Sequence, residues 1–171
     1  MCLLTSNTKP SVSNQGIKCI KVVRKCIGKD NNTEYTSLFD LHDIVKYNIG
    51  KITRMGDRYK FEAKPRSSWW YTGFVSKSSY SYYCGPGIHT FKPDAVKAWK
   101  NVYDWAKDEF KKGYPDIIGI SVLECEIPAG IKYFEGISTC LSDNTILEYG
   151  YCSESVCVIR EIESEIFTSK K

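Results

Sequence analysis

One amphipathic segment separates two groups of strand-like segments in this chain of 171 residues. Pro93 suits the first position of a helix, and Gly113 suits its stop. The apolar residues that recur at helical spacing between them are Trp99, Val102, Tyr103, Ala106 and Phe110. The order of strands, one long helix and further strands predicts an α+β fold. We expect a mostly antiparallel, strongly curved sheet with the helix, at about 93–112, packed on one face.

The clearest strand patterns lie on both sides of the helical segment. Ile17–Cys26 is rich in β-branched residues, and the turn formers of Gly28–Asn32 connect it to Thr33–Phe39, which predicts a hairpin. Gly119–Pro128 is the best strand after the helix, and its alternating polar residues predict one wet face. A last strand is expected at about Ser155–Ile162. Before the helix, Arg58–Lys64 also alternates like a half-buried strand, which Pro65 ends.

Length and composition predict one domain. Hydrophobic residues make up 42% of the chain and charged residues 26%, which are the values of a globular protein able to bury a core. Residues 1–16 are rich in Thr, Ser and Asn and are expected to form a flexible N-terminal arm. We predict a single globular domain over residues 17–165 and a disordered tail over residues 166–171.

Several classes of protein are disfavoured by the sequence. No apolar run approaches the length that spans a bilayer, and Met1–Asn7 has no basic leader, so we expect a cytosolic protein with its eight cysteines mostly reduced. The sequence contains no C-x-x-C pair, and we expect no metal site and no cofactor. A net charge of +4 without a basic block suits an anionic partner but not specific DNA or RNA binding.

The predicted binding site is an aromatic segment that runs into a glycine-rich turn. The candidate rings are Trp69, Trp70, Tyr71, Tyr80 and Tyr82, and the candidate cations beside them are Arg66 and Lys77. Rings, serine hydroxyls and cations together suit a planar anionic ligand. The segment ends in Cys84-Gly85-Pro86-Gly87-Ile88-His89, where Gly85 and Gly87 allow a close approach of the backbone to a ligand and His89 is a donor or an acid–base group near neutral pH.

Each of these features also has a purely structural interpretation. The rings can pair across strands in the core, and the turn can simply connect two strands with His89 hydrogen-bonded inside the sheet. Consecutive rings such as Tyr82 and Tyr83 point to opposite faces of a strand, so we expect some of them to be accessible. Nucleophilic catalysis by Cys84 and His89 is disfavoured because no third group that orients the base is identifiable.

The chain resembles a group of uncharacterised small proteins encoded by bacteriophages and gut-bacterial mobile elements. The resemblance covers most of residues 1–162 and is carried by the C-x-x-G-[FI]-H motif at 84–89, by Val122–Gly136 and by Val158-Ile159-Arg160-Glu161-Ile162. More remotely, a turn with a histidine, a helix and a Val-Leu-Glu strand, in that order, are similar to part of the ADP-ribosyltransferase-like fold. The chain departs from that fold because neither a catalytic glutamate nor a full set of NAD-binding residues can be assigned.

The phage-like resemblance implies a function in bacterial immunity. Small oligomeric phage proteins with cationic, aromatic pockets sequester nucleotide signals such as cyclic dinucleotides or cyclic ADP-ribose derivatives. We therefore expect an anti-defence homo-oligomer that binds such a ligand without altering it, with no catalytic residue and no membrane partner. One alternative is an enzyme that acts on the same ligand class with His89 as acid or base. A second is a protein interaction module that docks through the aromatic patch.

Overall fold

A computed structural model of the chain describes residues 2–28, 30–38, 45–56, 60–65, 82–84, 86–111, 114, 116–139 and 146–167. The strands of this part are β1 (Cys2–Thr5), β2 (Ser11–Val12), β3 (Ile17–Ile27), β4 (Thr33–Ser37), β5 (Lys46–Tyr47), β6 (Ile52–Arg54), β7 (Lys64–Pro65), β8 (Tyr82–Cys84), β9 (Ile88–Phe91), β10 (Ile117–Ile127), β11 (Lys132–Thr139), β12 (Ile146–Ser153) and β13 (Ser155–Ile166). The described residues form one helix, α1 (Val96–Phe110).

These strands form one sheet. Its order is β6-β13-β10-β3-β9-β12-β11-β1-β8-β7, with β2 on β11, β4 on β3, and β5 on β4. The strand pairings of the ladder are antiparallel, so the predicted mostly antiparallel α+β fold is confirmed. The prediction of strong curvature is wrong, because the sheet is not strongly curled or closed. Its two terminal strands, β6 and β7, are short, and neither pairs with the other in the described part of the chain.

The centre of the sheet is the pair β3 and β10, which the sequence predicts as its best strands. The register places Val22 opposite Val122 and Cys19 opposite Cys125, and all four side chains are buried. Branched and apolar residues on both strands fill the two faces of a pleated surface, which favours this pairing. The predicted hairpin is also confirmed: β4 pairs with β3, and the turn between them includes Asn31 with a positive φ of 60°.

The helix covers one face of this centre. Its buried residues include all five that the spacing predicts, and they pack with Ile20, Val22 and Phe91 of the sheet. The helix is shorter than the predicted 93–112. It begins at Val96 because residues 92–95 form a turn in which the Ala95 N–H donates to the Lys92 carbonyl. Pro93 therefore lies in the turn before the helix and not at its first position.

Apolar residues of the sheet also pack on the face away from the helix. One cluster there includes Cys19, Val23, Leu123, Val156 and Val158.

A third and smaller cluster joins Leu3, Cys84, Phe134 and Cys152, with Phe61 and Ala63 packed against it. This third cluster is where the predicted glycine-rich turn lies.

The N-terminal segment differs from the predicted flexible arm over residues 1–16. Strand β1 lies between β8 and β11, and Leu3 and Leu4 are buried. Strand β2 pairs with β11 at Lys132 and Tyr133. The shared partner β11 lies more than a hundred residues further along the chain, and the second partner of β1, β8, follows the aromatic segment. The local Thr, Ser and Asn content therefore does not reveal these pairings.

Two further predictions need correction. No strand forms over 60–63, and the Arg58–Lys64 pattern ends in the two-residue strand β7; residues 58 and 59 lie outside the described ranges. The alternation still identifies the inward side chains, because Phe61 and Ala63 pack on the third cluster. The predicted tail over 166–171 begins too early. Ile166 ends β13, and the Phe167 N–H donates to the Ile118 carbonyl at 2.7 Å.

The described part of the chain holds no helix with the length and hydropathy needed to cross a membrane. The division into one domain at residues 17 and 165 stays a prediction.

Candidate thiol–imidazole site

The glycine-rich turn connects β8 to β9, and these two strands have different partners. Strand β8 pairs with β1 and β7, whereas β9 pairs with β12. Only residues 85–87 separate Cys84, the last residue of β8, from Ile88, the first of β9. So short a connection keeps the two strand ends close together, which brings Cys84 to Cys152 of β12.

Three side chains meet at this point, and we call them the thiol–imidazole cluster: Cys84, Cys152 and His89. The Sγ atoms of Cys84 and Cys152 lie 3.0 Å apart, and both side chains are fully buried. The Nε2 atom of His89 lies 3.7 Å from Cys152 Sγ, and His89 and Cys152 are opposite each other in the register of β9 and β12. Alternation along β9 places His89 on the same face as Phe91, so the cluster lies beside the helix-covered core.

The carbonyl oxygen of Pro86 closes the cluster from the side of the turn. It lies 3.5 Å from Cys84 Sγ and 3.6 Å from Cys152 Sγ, within the range of a weak hydrogen bond from a thiol. Either thiol can donate to this oxygen. The turn therefore supplies a polar partner to the two sulfur atoms in an otherwise apolar cluster.

Gly87 is the position at which the turn requires glycine. Its φ is +142°, a conformation that L side chains rarely adopt. A Cβ atom at this position would lie at 2.4 Å from Cys152 Sγ and 3.0 Å from a ring carbon of Phe61. The close approach predicted for Gly87 therefore exists, but in this structure it is an approach to a neighbouring thiol and a ring.

The imidazole of His89 is directed inward. Its Nδ1 atom is buried, and its Nε2 atom faces Cys152 as described above. The residue as a whole is half-buried. This orientation favours the interpretation in which His89 is part of the packing of the strands over the one in which it donates to a ligand.

A buried lysine fixes the backbone of the same residue. Lys21 is 9% exposed, and its ammonium group donates to the His89 carbonyl at 2.7 Å and lies 5.6 Å from the centre of the Tyr47 ring. Strands β3 and β9 share only the pair Ile20 and Phe91, so they separate next to His89. The lysine side chain lies in this separation and donates a hydrogen bond to the His89 carbonyl across it.

Residues 60–65, which we call the covering segment, pass over the turn and reach β8. Phe61 lies against Gly87, and its ring packs on Phe134 with centroids 5.3 Å apart. Lys64 is opposite Tyr83 in the register of β7 and β8. Two exposed lysines of the segment, Lys60 and Lys64, share Glu62 at 2.7 and 3.8 Å. Two cations with one carboxylate leave a net positive charge beside the β8 rings.

The structure describes three of the ten predicted site residues. Tyr82, Gly87 and His89 lie on β8, the turn and β9, and Tyr82 and Tyr83 are both half-buried. Alternation along β8 places these two rings on opposite faces, as expected for consecutive rings in a strand. The predicted site residues outside the described ranges are Arg66, Trp69, Trp70, Tyr71, Lys77, Tyr80 and Gly85.

Sequence analysis missed Cys152, Phe61 and Lys21. Cys152 is 68 residues from Cys84 along the chain, and no spacing motif connects the two. The available signal was weak: Cys152 follows an alternating aromatic strand and is a small apolar residue like several other cysteines. In the described ranges, no group of three or more His, Cys, Asp or Glu side chains is arranged to hold a metal ion.

A second polar cluster lies on the sheet face away from the helix. The Glu161 carboxylate accepts hydrogen bonds from the Ser121 hydroxyl at 2.6 Å and the Tyr35 hydroxyl at 2.9 Å. The Lys25 ammonium group lies 3.1 Å from the same carboxylate. Burial opposes ionisation of Glu161, but these hydrogen bonds outweigh it and lower the pKa of the carboxyl group. Burial raises the pKa of Tyr35 to about 12, and the bond to Glu161 acts in the same direction.

Comparison with known proteins adds no relative to this description. No family model, no curated protein and no solved structure matches the chain.

Proposed function

We propose that the chain is a binding protein for a small anionic ligand of nucleotide type, which it holds beside the Cys84–His89 turn and sequesters without chemical change. One observation supports this most. The covering segment touches Gly87 through Phe61 and pairs with β8 through Lys64, so exposed lysines, half-buried rings and the turn share one border.

The chemistry of this border suits a nucleotide. Tyr83, which is opposite Lys64 in the register of β7 and β8, offers a ring surface on which a base can stack, and such a contact contributes about 1–3 kcal/mol in single-stranded nucleic acid binding. Lys60 and Lys64 attract a phosphate group, and their side chains are 83% and 53% exposed. The net positive charge of the covering segment favours an anion over a cation.

The buried thiol–imidazole cluster favours binding over catalysis. A general acid or base must reach the reacting atom within about 2.6–3.2 Å or through one water molecule. Nδ1 of His89 is buried, Nε2 faces Cys152, and both thiols are fully buried, so a ligand at the surface meets none of these groups in a reactive position. In this proposal His89 holds the turn, and the lysines and rings hold the ligand.

The ligand class to test first follows from the phage-like resemblance. In the full proposal the protein is phage-encoded, forms a homo-oligomer and removes a cyclic dinucleotide or a cyclic ADP-ribose derivative from a bacterial immune response in the cytoplasm. The predicted aromatic segment, from Arg66 to Tyr80, lies outside the described residues, and its part in ligand binding stays a prediction.

Isothermal titration calorimetry against a panel of cyclic dinucleotides and ADP-ribose nucleotides tests the proposal. We expect saturable heat with at least one member of the panel. The ligand should then be recovered intact after the complex is denatured, because an enzyme would return products. Absence of heat at millimolar ligand with every member of the panel would refute the proposal.

A matched pair of lysine variants localises the site. Lys64 and Lys132 are 53% and 54% exposed, and each lies near one glutamate, at 3.8 and 3.7 Å. Exposed ion contacts contribute about 0.2–1 kcal/mol, so Lys64→Gln should weaken binding by a factor of about 1.5–5. Lys132 pairs with Val12 of β2 and not with β8, so Lys132→Gln should leave the affinity unchanged. Equal losses in the two variants would place the ligand elsewhere.

A further inference from the structure

The two thiols of the thiol–imidazole cluster are close enough to be joined. Their separation of 3.0 Å is about 1 Å longer than a disulfide bond of roughly 2.05 Å. Both sulfur atoms are enclosed by the third apolar cluster, which holds them against each other. The β1–β8 and β9–β12 pairings hold the backbone at Cys84 and Cys152, so the two sulfur atoms have to approach each other by about 1 Å to be joined.

We infer that Cys84 and Cys152 are a redox modification site, at which a small peroxide converts the two thiols into an intramolecular disulfide. The inference is independent of the proposed ligand. It rests on the contact between the two sulfur atoms and on the imidazole at 3.7 Å from one of them. Because both thiols are fully buried, the oxidant has to be small, and hydrogen peroxide is the smallest peroxide.

The first step forms a sulfenic acid at Cys152. His89 Nε2 accepts the thiol proton of Cys152, and the resulting thiolate attacks one oxygen atom of hydrogen peroxide. The S–O bond forms as the O–O bond breaks. The departing hydroxide takes the proton from His89 and leaves as water, and the imidazole is neutral again.

The second step forms the disulfide. Cys84 Sγ attacks the sulfenic sulfur of Cys152, so that the S–S bond forms and the S–O bond breaks. The departing hydroxide takes the thiol proton of Cys84 and leaves as a second water molecule. Two thiols are oxidised by two electrons in total, one peroxide is reduced to two waters, and a reducing thiol reverses the modification by exchange.

Another pair of buried cysteines serves as an internal control. Cys19 and Cys125 are directly opposite each other in the register of β3 and β10, and both are fully buried. Burial raises the pKa of Cys19 to about 12, and it also raises the pKa of Cys125. Cys84 and Cys152 are equally buried, but Cys152 lies beside the His89 imidazole, which can accept its proton, whereas Cys125 Sγ donates to the Leu123 carbonyl. We therefore expect the Cys19–Cys125 pair to stay reduced.

The test uses the wild-type chain, treated with a stoichiometric amount of hydrogen peroxide under native conditions and then alkylated, digested and mapped by mass spectrometry. We expect a peptide that links Cys84 to Cys152, restored to two thiols by dithiothreitol, and alkylated Cys19 and Cys125. The inference is overturned if the linked peptide is absent, if the peroxide stops at sulfinic acid on these cysteines, or if Cys19 and Cys125 are linked to an equal extent.

The role of the imidazole has its own measurement. His89→Gln keeps a polar side chain of similar size but cannot accept the thiol proton, and we expect the rate of bridge formation to fall by about tenfold or more. The extent of bridging at long times should be unchanged, since the two sulfur atoms stay in contact. An unchanged rate in a variant with wild-type secondary structure would remove His89 from the mechanism, while failure of bridging in both proteins would refute the site itself.

Discussion

Replacement of Gly87 by alanine tests whether the turn depends on the close approach between β8 and β12. The wild-type φ of +142° lies in a region that is essentially restricted to glycine, and occupying it with a side chain costs about 1–3 kcal/mol. The new Cβ would also lie at 2.4 Å from Cys152 Sγ and 3.0 Å from a ring carbon of Phe61. Overpacking of this kind costs about 1–3 kcal/mol.

The two costs add to a loss of about 2–6 kcal/mol in the free energy of unfolding. Each kcal/mol lowers the Tm of a domain of this size by about 2–4 °C, so Gly87→Ala should lower it by about 4–24 °C. Thermal and urea unfolding, followed by circular dichroism, measure both quantities. The urea slope should stay constant if the variant reaches the same unfolded state.

Gly130→Ala is the control for the backbone alone. Gly130 has a φ of +82°, and nothing lies within 4 Å of the position that its Cβ would occupy. A left-handed alanine costs about 1–2 kcal/mol, so this variant should lose only about 2–8 °C. A Gly87→Ala variant that is no less stable than Gly130→Ala would refute the argument from steric overlap.

A double variant separates overlap from strain. Cys152→Ala removes the sulfur atom that the new Cβ would meet, so Gly87→Ala should cost less in this background than in the wild type. We expect a coupling free energy of about 1–3 kcal/mol from the double-mutant cycle. Additive losses would mean that the cost comes from the backbone conformation.

Three further predictions concern other parts of the structure. Phe134 is 1% exposed in the third cluster, and Phe134→Ala should lower the free energy of unfolding in urea by about 3–5 kcal/mol. A loss below about 1 kcal/mol would show that the cluster collapses around the smaller side chain or is not packed. Lys21→Met should cost about 1–3 kcal/mol in the same assay, because the His89 carbonyl loses its donor, and a neutral result would contradict that role. Glu161→Gln should lower the pKa of Tyr35 from about 12 toward its ordinary value of 10.0. Phenolate absorbance, compared with a Tyr35→Phe reference, measures this pKa. An unchanged pKa would mean that burial alone raises it.

The pH dependence of stability at these two residues has a defined sign. The raised pKa of Tyr35 means that the folded chain holds this proton more tightly than the unfolded chain, so its contribution to stability is present below pH 10 and is lost as the pH rises toward about 12. The lowered pKa of Glu161 has the opposite consequence. Its contribution is present above pH 4.5 and is lost as the pH falls below that value, and Glu161→Gln should remove it.

Local pattern predicted the elements whose burial is periodic. The five inward residues of α1, the central strands β3 and β10 and the hairpin to β4 all follow from spacing, β-branching and turn residues, because each of these signals is contained in a window of a few residues. The helix start was misplaced by three residues, since Pro93 is equally suited to the preceding turn and only the Lys92–Ala95 hydrogen bond distinguishes the two positions.

At the candidate site, too, the local sequence indicates which residues matter but not which side chains they contact. The sequence singled out Gly87 and His89 from their residue types, and it identified Tyr82 and Tyr83 as rings on opposite faces of a strand. It assigned His89 to a ligand, whereas the structure directs Nε2 of its imidazole toward Cys152. The direction of a side chain depends on the neighbouring strand, and no residue near His89 in the sequence specifies that β9 pairs with β12.

The sequence by itself determined the inward face of α1 and the positions of the central strands β3 and β10, because helical spacing and β-branched runs are local properties. It did not identify Ser121 of β10 as buried, since the layer that covers that face comes from distant parts of the chain. Only the tertiary structure decided that β1 lies inside the sheet and that Cys84 contacts Cys152 across 68 residues. The physical reason is that an apolar strand face pairs with many partners of similar energy. The choice among them depends on the packing of the whole sheet and on the short turn at residues 85–87, and not on the composition of either strand.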